Sequence, residues 1–560
     1  MAEIKKRVLF INEASPLNTG FSKIGKEILS RLYKNRPDLT IAECGCYLSP
    51  EDPRIHTIPW TFYPVMPRKG DERAAEAYNS SVFGQFGASV LEQTLLDFKA
   101  THLISITDQW MSSAYQLLSP FRPYFKYLLM PTIDGSPQKI EWMDDYSRVD
   151  VLMTYSRFGK ETLEKESPKK LNVFAVVRPG VNPDLFHPID KKEIRARLGI
   201  PQEWNIIVST MRNQRRKLFP DLFEAFVEYL AICVKNNRRD LAENSYLYCH
   251  TSLPDVGFDL GSHLMRNNIG HKVLFTYYCE ACKKYHVAKF QTEIAYCPYC
   301  HKLSAHMPNT QSGVSDAQLC EIYNLADLYI QYSISEGLAC PIAEAKACSV
   351  PAMAVDYSAM SEQVAITGCQ KIRVEKFFWE TVLETEQARA LPDNADFAKK
   401  VFRFFCAPKD TRIAWGEIAR KDAVENYSFD RAAKIFERAI DSTEALDPQT
   451  TWFNPTPRYA PANKNIPGNF KNNAEFLNWC IINILGRPDL IDSYWKNELL
   501  CGLNTGAINN KIYGNIRCEP KWVIDMMMNR AMKQNAWENT RISHLVKPKE
   551  TKKQLTFGTF

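Results

Sequence analysis

Tyr332-Ser333-Ile334-Ser335-Glu336-Gly337-Leu338-Ala339-Cys340-Pro341-Ile342-Ala343-Glu344-Ala345 is the stretch on which the reading of this chain turns. It follows an apolar, strand-like run at 328–332 and opens a helix of small residues. Backbone N–H groups at such a helix start, aided by the helix dipole, form an anion site. Glu336 stands before the helix and Glu344 lies within its first turns, eight positions on. The two carboxylates can accept hydrogen bonds from hydroxyls on either side of a bound phosphate. A diphosphate between a ribose and a sugar has that layout. Two unrelated glutamates on a surface helix would show the same spacing, so the context has to decide.

Outward from this stretch, short apolar runs alternate with helix-like segments. Strands are expected at 8–12, 102–107, 127–130, 151–155 and 173–177, and again at 206–209, 246–249, 273–275, 328–332 and 352–355. Strands spaced this way, with helices between them, imply parallel sheets covered on both faces. The expected fold class is α/β, with two Rossmann-like doubly wound domains at 1–188 and 189–444. A Cys- and Tyr-rich insertion occupies 276–308, and 445–560 form an extension. Within that extension, 447–470 is a Pro-rich arm, 471–543 reads as mainly helical, and the end is a basic tail. A helical segment at 415–440 completes the second domain.

Three more motifs come in order. Arg212-Asn213-Gln214-Arg215-Arg216-Lys217 follows the strand at 206–209. Val177-Arg178-Pro179-Gly180-Val181-Asn182 with Phe186-His187-Pro188 lies between the two strand sets. Tyr427-Ser428-Phe429 precedes the last helix. Together with Ser333, Glu336, Gly337, Glu344, Ala345, Ala347 and Pro351, they resemble the retaining GT-B glycosyltransferases of family four, which carry a Glu-x7-Glu signature. The resemblance spans about residues 6–440. It implies sugar transfer from a UDP-, GDP- or ADP-sugar with no catalytic metal. In that reading Glu344 binds the ribose and Glu336 the donor sugar, while Arg212 and Lys217 neutralise the pyrophosphate. The backbone of Gly337, Leu338, Ala339 and Cys340 contacts the phosphates, and Gly20, in the first strand-to-helix loop, approaches donor and acceptor. Where the family prefers Gly-Phe-Gly this chain has Gly337-Leu338-Ala339, and Ser349 replaces a usual glycine. Ala339 would therefore crowd the phosphate or demand an unusual φ. Where the family often has a histidine, Asp134 is the candidate polar contact, with Asp108 its rival.

Cys279-Glu280-Ala281-Cys282 and Cys297-Pro298-Tyr299-Cys300 form two CxxC pairs, the spacing of a zinc ribbon. Four thiolates close the coordination shell of a structural Zn2+, with His286 and His301 as alternative ligands. The ribbon is expected to overhang the acceptor side, where Tyr277, Tyr278, Tyr285, Tyr299, Lys283, Lys284 and Lys302 could meet a polymer.

The whole chain has 560 residues, 45% hydrophobic and 24% charged, with a formal net charge of +6. That charge permits an anionic partner without demanding one. No run of about 18 apolar residues suggests a membrane span. The N-terminus lacks the pattern of a signal peptide, and the sixteen cysteines read as reduced thiols, so a cytoplasmic protein is expected. Two acceptors fit. One is DNA with hydroxymethylated bases, which implies a viral enzyme in a host cytoplasm. The other is a cell-envelope saccharide or lipid-linked acceptor. A non-catalytic binding protein on the same fold is the third reading.

Overall fold

The computed structural model describes residues 5–453 apart from 80–82, 110, 112–115, 118, 120, 168–169, 292–293, 310–311 and 381–384; beyond them it describes 455, 470–482, 496–497 and 500–501. All ten expected strands are present, and eight more join them among the described residues.

The first sheet contains β1 (Arg7–Glu13), β2 (Thr40–Cys46), β3 (Thr61–Pro64), β4 (His102–Ser105), β5 (Lys126–Leu129), β6 (Val151–Thr154) and β7 (Val173–Val176). Their order is β3-β2-β1-β4-β5-β6-β7, parallel throughout. The sequence hides β2 because Glu43 and Gly45 interrupt its apolar pattern. The fold uses both. Glu43 is buried and accepts hydrogen bonds from Ser15 N, Ser15 Oγ and Trp60 Nε1 at 2.7, 2.7 and 2.8 Å, which pins the loop after β1. A Cβ on Gly45 would lie 2.4 Å from the Phe62 ring.

The second sheet contains β8 (Asn205–Thr210), β9 (Ser245–His250), β10 (Val273–Cys279), β11 (Tyr285–Lys289), β12 (Ile294–Tyr296), β13 (Leu303–His306), β14 (Leu328–Gln331), β15 (Ala352–Val355) and β16 (Gln370–Ile372). Its parallel part runs β10-β9-β8-β14-β15-β16. β10 then overshoots its parallel partner and pairs antiparallel with β11 and β13. The cysteine module is thus grown out of the sheet edge, its first strand being the second half of β10. A hairpin of β17 (Val374–Trp379) and β18 (Ala388–Pro392) follows.

The helical segment expected at 415–440 is two helices, Lys409–Asn426 and Phe429–Asp441, broken where Ser428 Oγ caps Arg431 N at 3.3 Å. The first packs on the helix Cys340–Ala347, where the fully buried Lys346 pairs with Asp422. The second returns to the first domain: Arg31 pairs with Asp430 at 2.5 Å and Arg36 with Asp441 at 2.9 Å. Two motifs about 250 positions apart meet on this path, for Val181 N donates to Tyr427 O at 2.8 Å. Trp452 then lies buried beside Phe121 and Tyr124, its Nε1 donating to Ala100 O at 3.1 Å. Of the expected extension, the helix Asn473–Cys480 is described. Most of the Pro-rich arm, most of the helix-like stretch after 482 and all of the basic tail lie outside the described residues. Among the described residues no helix is long and apolar enough to cross a membrane.

Candidate active site

In an open parallel sheet the ligand crevice lies beyond the strand C-termini, at the point where the strand order reverses. In the second sheet that point is between β8 and β14. The loop after β8 carries Arg212 to Lys217, and the loop after β14 carries Glu336. Facing them across the cleft are the loop after β5 with Asp134 and the start of the helix Gly20–Asn35 after β1.

Glu336 is buried, and both its oxygens are engaged, Oε2 by a single donor. Its Oε1 accepts from Lys217 Nζ, Gln331 Nε2 (2.9 Å) and Ser333 Oγ (2.7 Å), and its Oε2 accepts from Arg216 Nη1 (3.0 Å). Burial by itself would raise this carboxyl. The charges of Arg216 and Lys217 more than offset that and hold it at about 2. Burial, with the Arg216 guanidinium beside it, pushes the Lys217 ammonium down to about 8. The result is a compact group of two cations around one carboxylate, poised beside a helix N-terminus.

Gly337 packs directly against the first domain. A Cβ there would stand 2.2 Å from Thr132 Cγ2 of the first domain, so any larger residue would push against that loop. Ala339 has φ +63 and caps the helix Cys340–Ala347 without a side-chain hydrogen bond. The unusual φ expected at this position is therefore real, and an alanine adopts it. Leu338 is buried beneath the loop, its carbonyl oxygen taken by Gln363 Nε2, and burial pushes the Cys340 thiol up to about 12. Glu344, one helical turn inside, is buried; Lys23 Nζ donates to its Oε1 at 2.6 Å and Tyr323 OH to its Oε2 at 2.7 Å. A Cβ on Gly20 would meet nothing within 4 Å, so this glycine leaves open space at the cleft.

Asp134 joins the group from the first domain. Its Oδ2 accepts from Ser335 Oγ at 3.2 Å, and its Oδ1 pairs with Arg389 at 2.9 Å. Asp108 is close enough to act on the charge of Arg216. Arg212 is placed differently from Lys217. Half exposed, it makes a two-pronged pair with Asp255 at 2.9 and 3.0 Å. Sequence reasoning missed Lys23, Arg216 as a partner of Glu336, Tyr323 and Arg389. The run Arg215-Arg216-Lys217 was the signal for Arg216; the others belong to no motif, because their partners lie far away in the chain.

The four cysteine sulfurs lie within 4.8 Å of one another. Sγ–Sγ distances of 3.6 Å for Cys279–Cys300 and Cys282–Cys297 are close to the roughly 3.8 Å edge of a tetrahedron with Zn–S bonds of about 2.3 Å. The two knuckles share one geometry. Lys283 N donates to Cys279 O at 2.8 Å and His301 N to Cys297 O at 2.9 Å, and Lys283 and His301 both have positive φ. The thiol set fits a metal ion without help from histidine: His301 serves as the turn residue of its knuckle, and His286 is buried against Tyr277. Tyr277, Tyr278 and Tyr285, read from sequence as acceptor contacts, are buried and cannot serve; Tyr296 and Tyr299 are the exposed rings.

Comparison with known proteins agrees with this geometry. Residues 305–376 match the family described as "Glycosyl transferases group 1". No curated protein matches the chain. The fold is similar to a sucrose-phosphate synthase from Thermosynechococcus elongatus, with TM-score 0.52 and 13% identity over 78% of this chain and 100% of that one. It is also similar to the HepE protein of Anabaena solved with UDP and glucose, with TM-score 0.51 and 12% identity over 78% of this chain and 100% of that one. The N-terminal domain of a Candida albicans trehalose-6-phosphate phosphatase aligns with TM-score 0.52 and 12% identity over 79% and 98%. The two sheets and the cleft between them are a GT-B fold, and the cleft carries a group 1 glycosyl transferase segment: the chain is a glycosyltransferase.

Proposed function

We propose that this protein is a retaining glycosyltransferase. It takes a nucleotide-sugar in the interdomain cleft and passes the sugar to a hydroxyl on a polymer, hydroxymethylated duplex DNA. The observation that carries the transfer is the set Arg216, Lys217 and Glu336 beside the start of the helix Cys340–Ala347, with Asp134 facing it from the other domain. The leaving diphosphate gains negative charge as the glycosidic bond breaks. Positioned cations and helix-start N–H groups stabilise that charge where it develops. Lys217, Arg216 and the backbone of 337–340 fill that role with no catalytic metal. Glu336 accepts from the hydroxyls of the donor sugar, Glu344 from the ribose, and Asp134 orients the acceptor or the sugar. HepE, similar in fold, was solved with UDP, so a UDP-sugar is the first donor to try.

The DNA acceptor is supported by the ribbon, in which Zn2+ on the four thiolates has a structural role. Tyr296 is 70% exposed and faces Leu303 across the β12–β13 hairpin, and Lys284 lies 5.3 Å from the Tyr299 ring. Exposed rings beside cations suit a polyanion with stacking bases. This reading places the enzyme in a cytoplasm, that of an infected host.

The test is nucleotide release from UDP-, GDP- and ADP-sugars, with and without hydroxymethylated duplex DNA. Release that rises with that DNA and disappears in Glu344→Ala supports the proposal. Release indifferent to DNA removes the DNA acceptor and turns the search to envelope saccharides. No release and no nucleotide-sugar binding leaves a binding protein on this fold.

A further inference from the structure

Glu344 reaches the cleft with both oxygens engaged, and the two partners are unlike. Tyr323 holds Oε2 from inside the second domain, its ring buried and its hydroxyl also 2.8 Å from Thr210 Oγ1. Lys23 holds Oε1 from the first domain, its side chain 24% exposed against 5% for Glu344. Lys23 also lies 4.5 Å over the Phe186 ring and 3.7 Å from Asp316 Oδ1, at the start of the helix Asp316–Leu325. A ribose 2′,3′-diol hydrogen-bonding to Glu344 needs acceptor positions on this carboxylate, and the cleft side of it is occupied by Lys23. Of the two partners, the buried tyrosine has nowhere to go. Lys23 has a second carboxylate already beside it.

We propose that Lys23 is an internal competitor for the donor's ribose: a nucleoside diphosphate entering the cleft displaces Lys23 from Glu344, and the ammonium passes to Asp316. The inference rests on reading Glu344 as the ribose ligand. Lys23 belongs to the first domain, whereas Glu344 and Asp316 belong to the second. The exchange therefore ties donor entry to the way the two domains hold each other, and it makes Lys23 and Asp316 positioning residues that set how much affinity the ribose hydroxyls contribute.

The readout is the affinity ratio between a nucleoside diphosphate and its 2′,3′-dideoxy form, measured by calorimetry at pH 8 for UDP, GDP and ADP. This ratio isolates the ribose hydroxyls, because any effect of a lost positive charge on the diphosphate appears in both ligands. Lys23→Met removes the competitor and should raise the ratio about tenfold. Asp316→Asn removes the alternative partner, strengthens the hold of Lys23 on Glu344, and should lower the ratio about threefold. Opposite signs are the mark of the exchange; a merely structural role would move both variants the same way. Glu344→Ala should bring the ratio to about one. If it does, and Lys23→Met leaves the ratio unchanged, Lys23 does not compete and the inference falls alone. If Glu344→Ala leaves the ratio as in the natural chain, the ribose reading of Glu344 fails and takes the inference with it.

Discussion

Ala339 and Ser349 flank the helix that carries Glu344, and both stand in the left-handed region, at φ +63 and +59. Ser349 is the residue after the C-cap of a Schellman motif, with Val350 N donating to Ala345 O at 3.0 Å and Ser349 N to Lys346 O at 2.9 Å. Both are positions where the resembled family tends to have glycine. Each non-glycine residue there costs about 1 kcal/mol. Ala339→Gly and Ser349→Gly should each raise stability by about that amount, less what the unfolded chain gains in freedom, read as a higher denaturant midpoint at unchanged m-value. Lys217 allows a test of charge. Its ammonium is pushed down to about 8, so kcat/KM should fall as pH rises through about 8, and Lys217→Arg should carry the fall to higher pH. Stability should move the other way. The unfolded lysine keeps its proton to about pH 10.4, so between about 8 and 10 the unfolded chain binds more protons and the folded state gains. An activity loss that instead tracked unfolding would reverse that sign.

At the scale of elements, β10 joins the donor domain to the ribbon. Its residues Val273 to Phe275 pair with β9, and Tyr278 and Cys279 pair with β13. A free-standing insert could lose its metal without consequence for the domain. This one shares a strand with the sheet, and Tyr277, at the crossover, is fully buried. The ribbon is also braced on the helix Asp316–Leu325, for Gln318 Nε2 donates to Lys283 O at 2.9 Å and Tyr285 OH to Glu321 at 3.0 Å. One zinc per chain is therefore expected by elemental analysis. Chelation, or Cys297→Ser with Cys300→Ser, should lower the melting temperature by about 5 °C, because metal-binding energy is folding energy here. A melting temperature indifferent to metal would mean that the thiols hold none. The spacing of the cysteines was legible in the sequence. The continuity of β10 was not, because Thr276-Tyr277-Tyr278 reads as polar-aromatic loop until its neighbours in the sheet are known.

Across the whole molecule, the cleft is bridged by side chains from both domains. Arg178 pairs with Glu362 at 3.0 Å, and the β17–β18 hairpin reaches back to the first domain through Arg389. The Arg389 side chain is 2% exposed and pairs with Asp134 at 2.9 Å and Glu380 at 3.1 Å. Removing a buried charge from such a set leaves its partners uncompensated. Arg389→Met should cost about 3 kcal/mol in chemical denaturation and reduce transfer as well, since Asp134 loses the group that orients it. Loss of stability with full activity would separate the hairpin from the reaction. What the sequence by itself determined are features whose pattern is written in near neighbours. These include the ten strands with their 2-residue or fully apolar patterns, the helix start after Glu336, and the two cysteine knuckles. The tertiary structure alone decided which cation meets which carboxylate. Arg216 joins Lys217 on Glu336 while Arg212 turns to Asp255, and Lys23 crosses 321 positions of chain to Glu344. Local pattern carries no record of such pairs, because their energy comes from burial and charge that exist only once two sheets have been brought face to face.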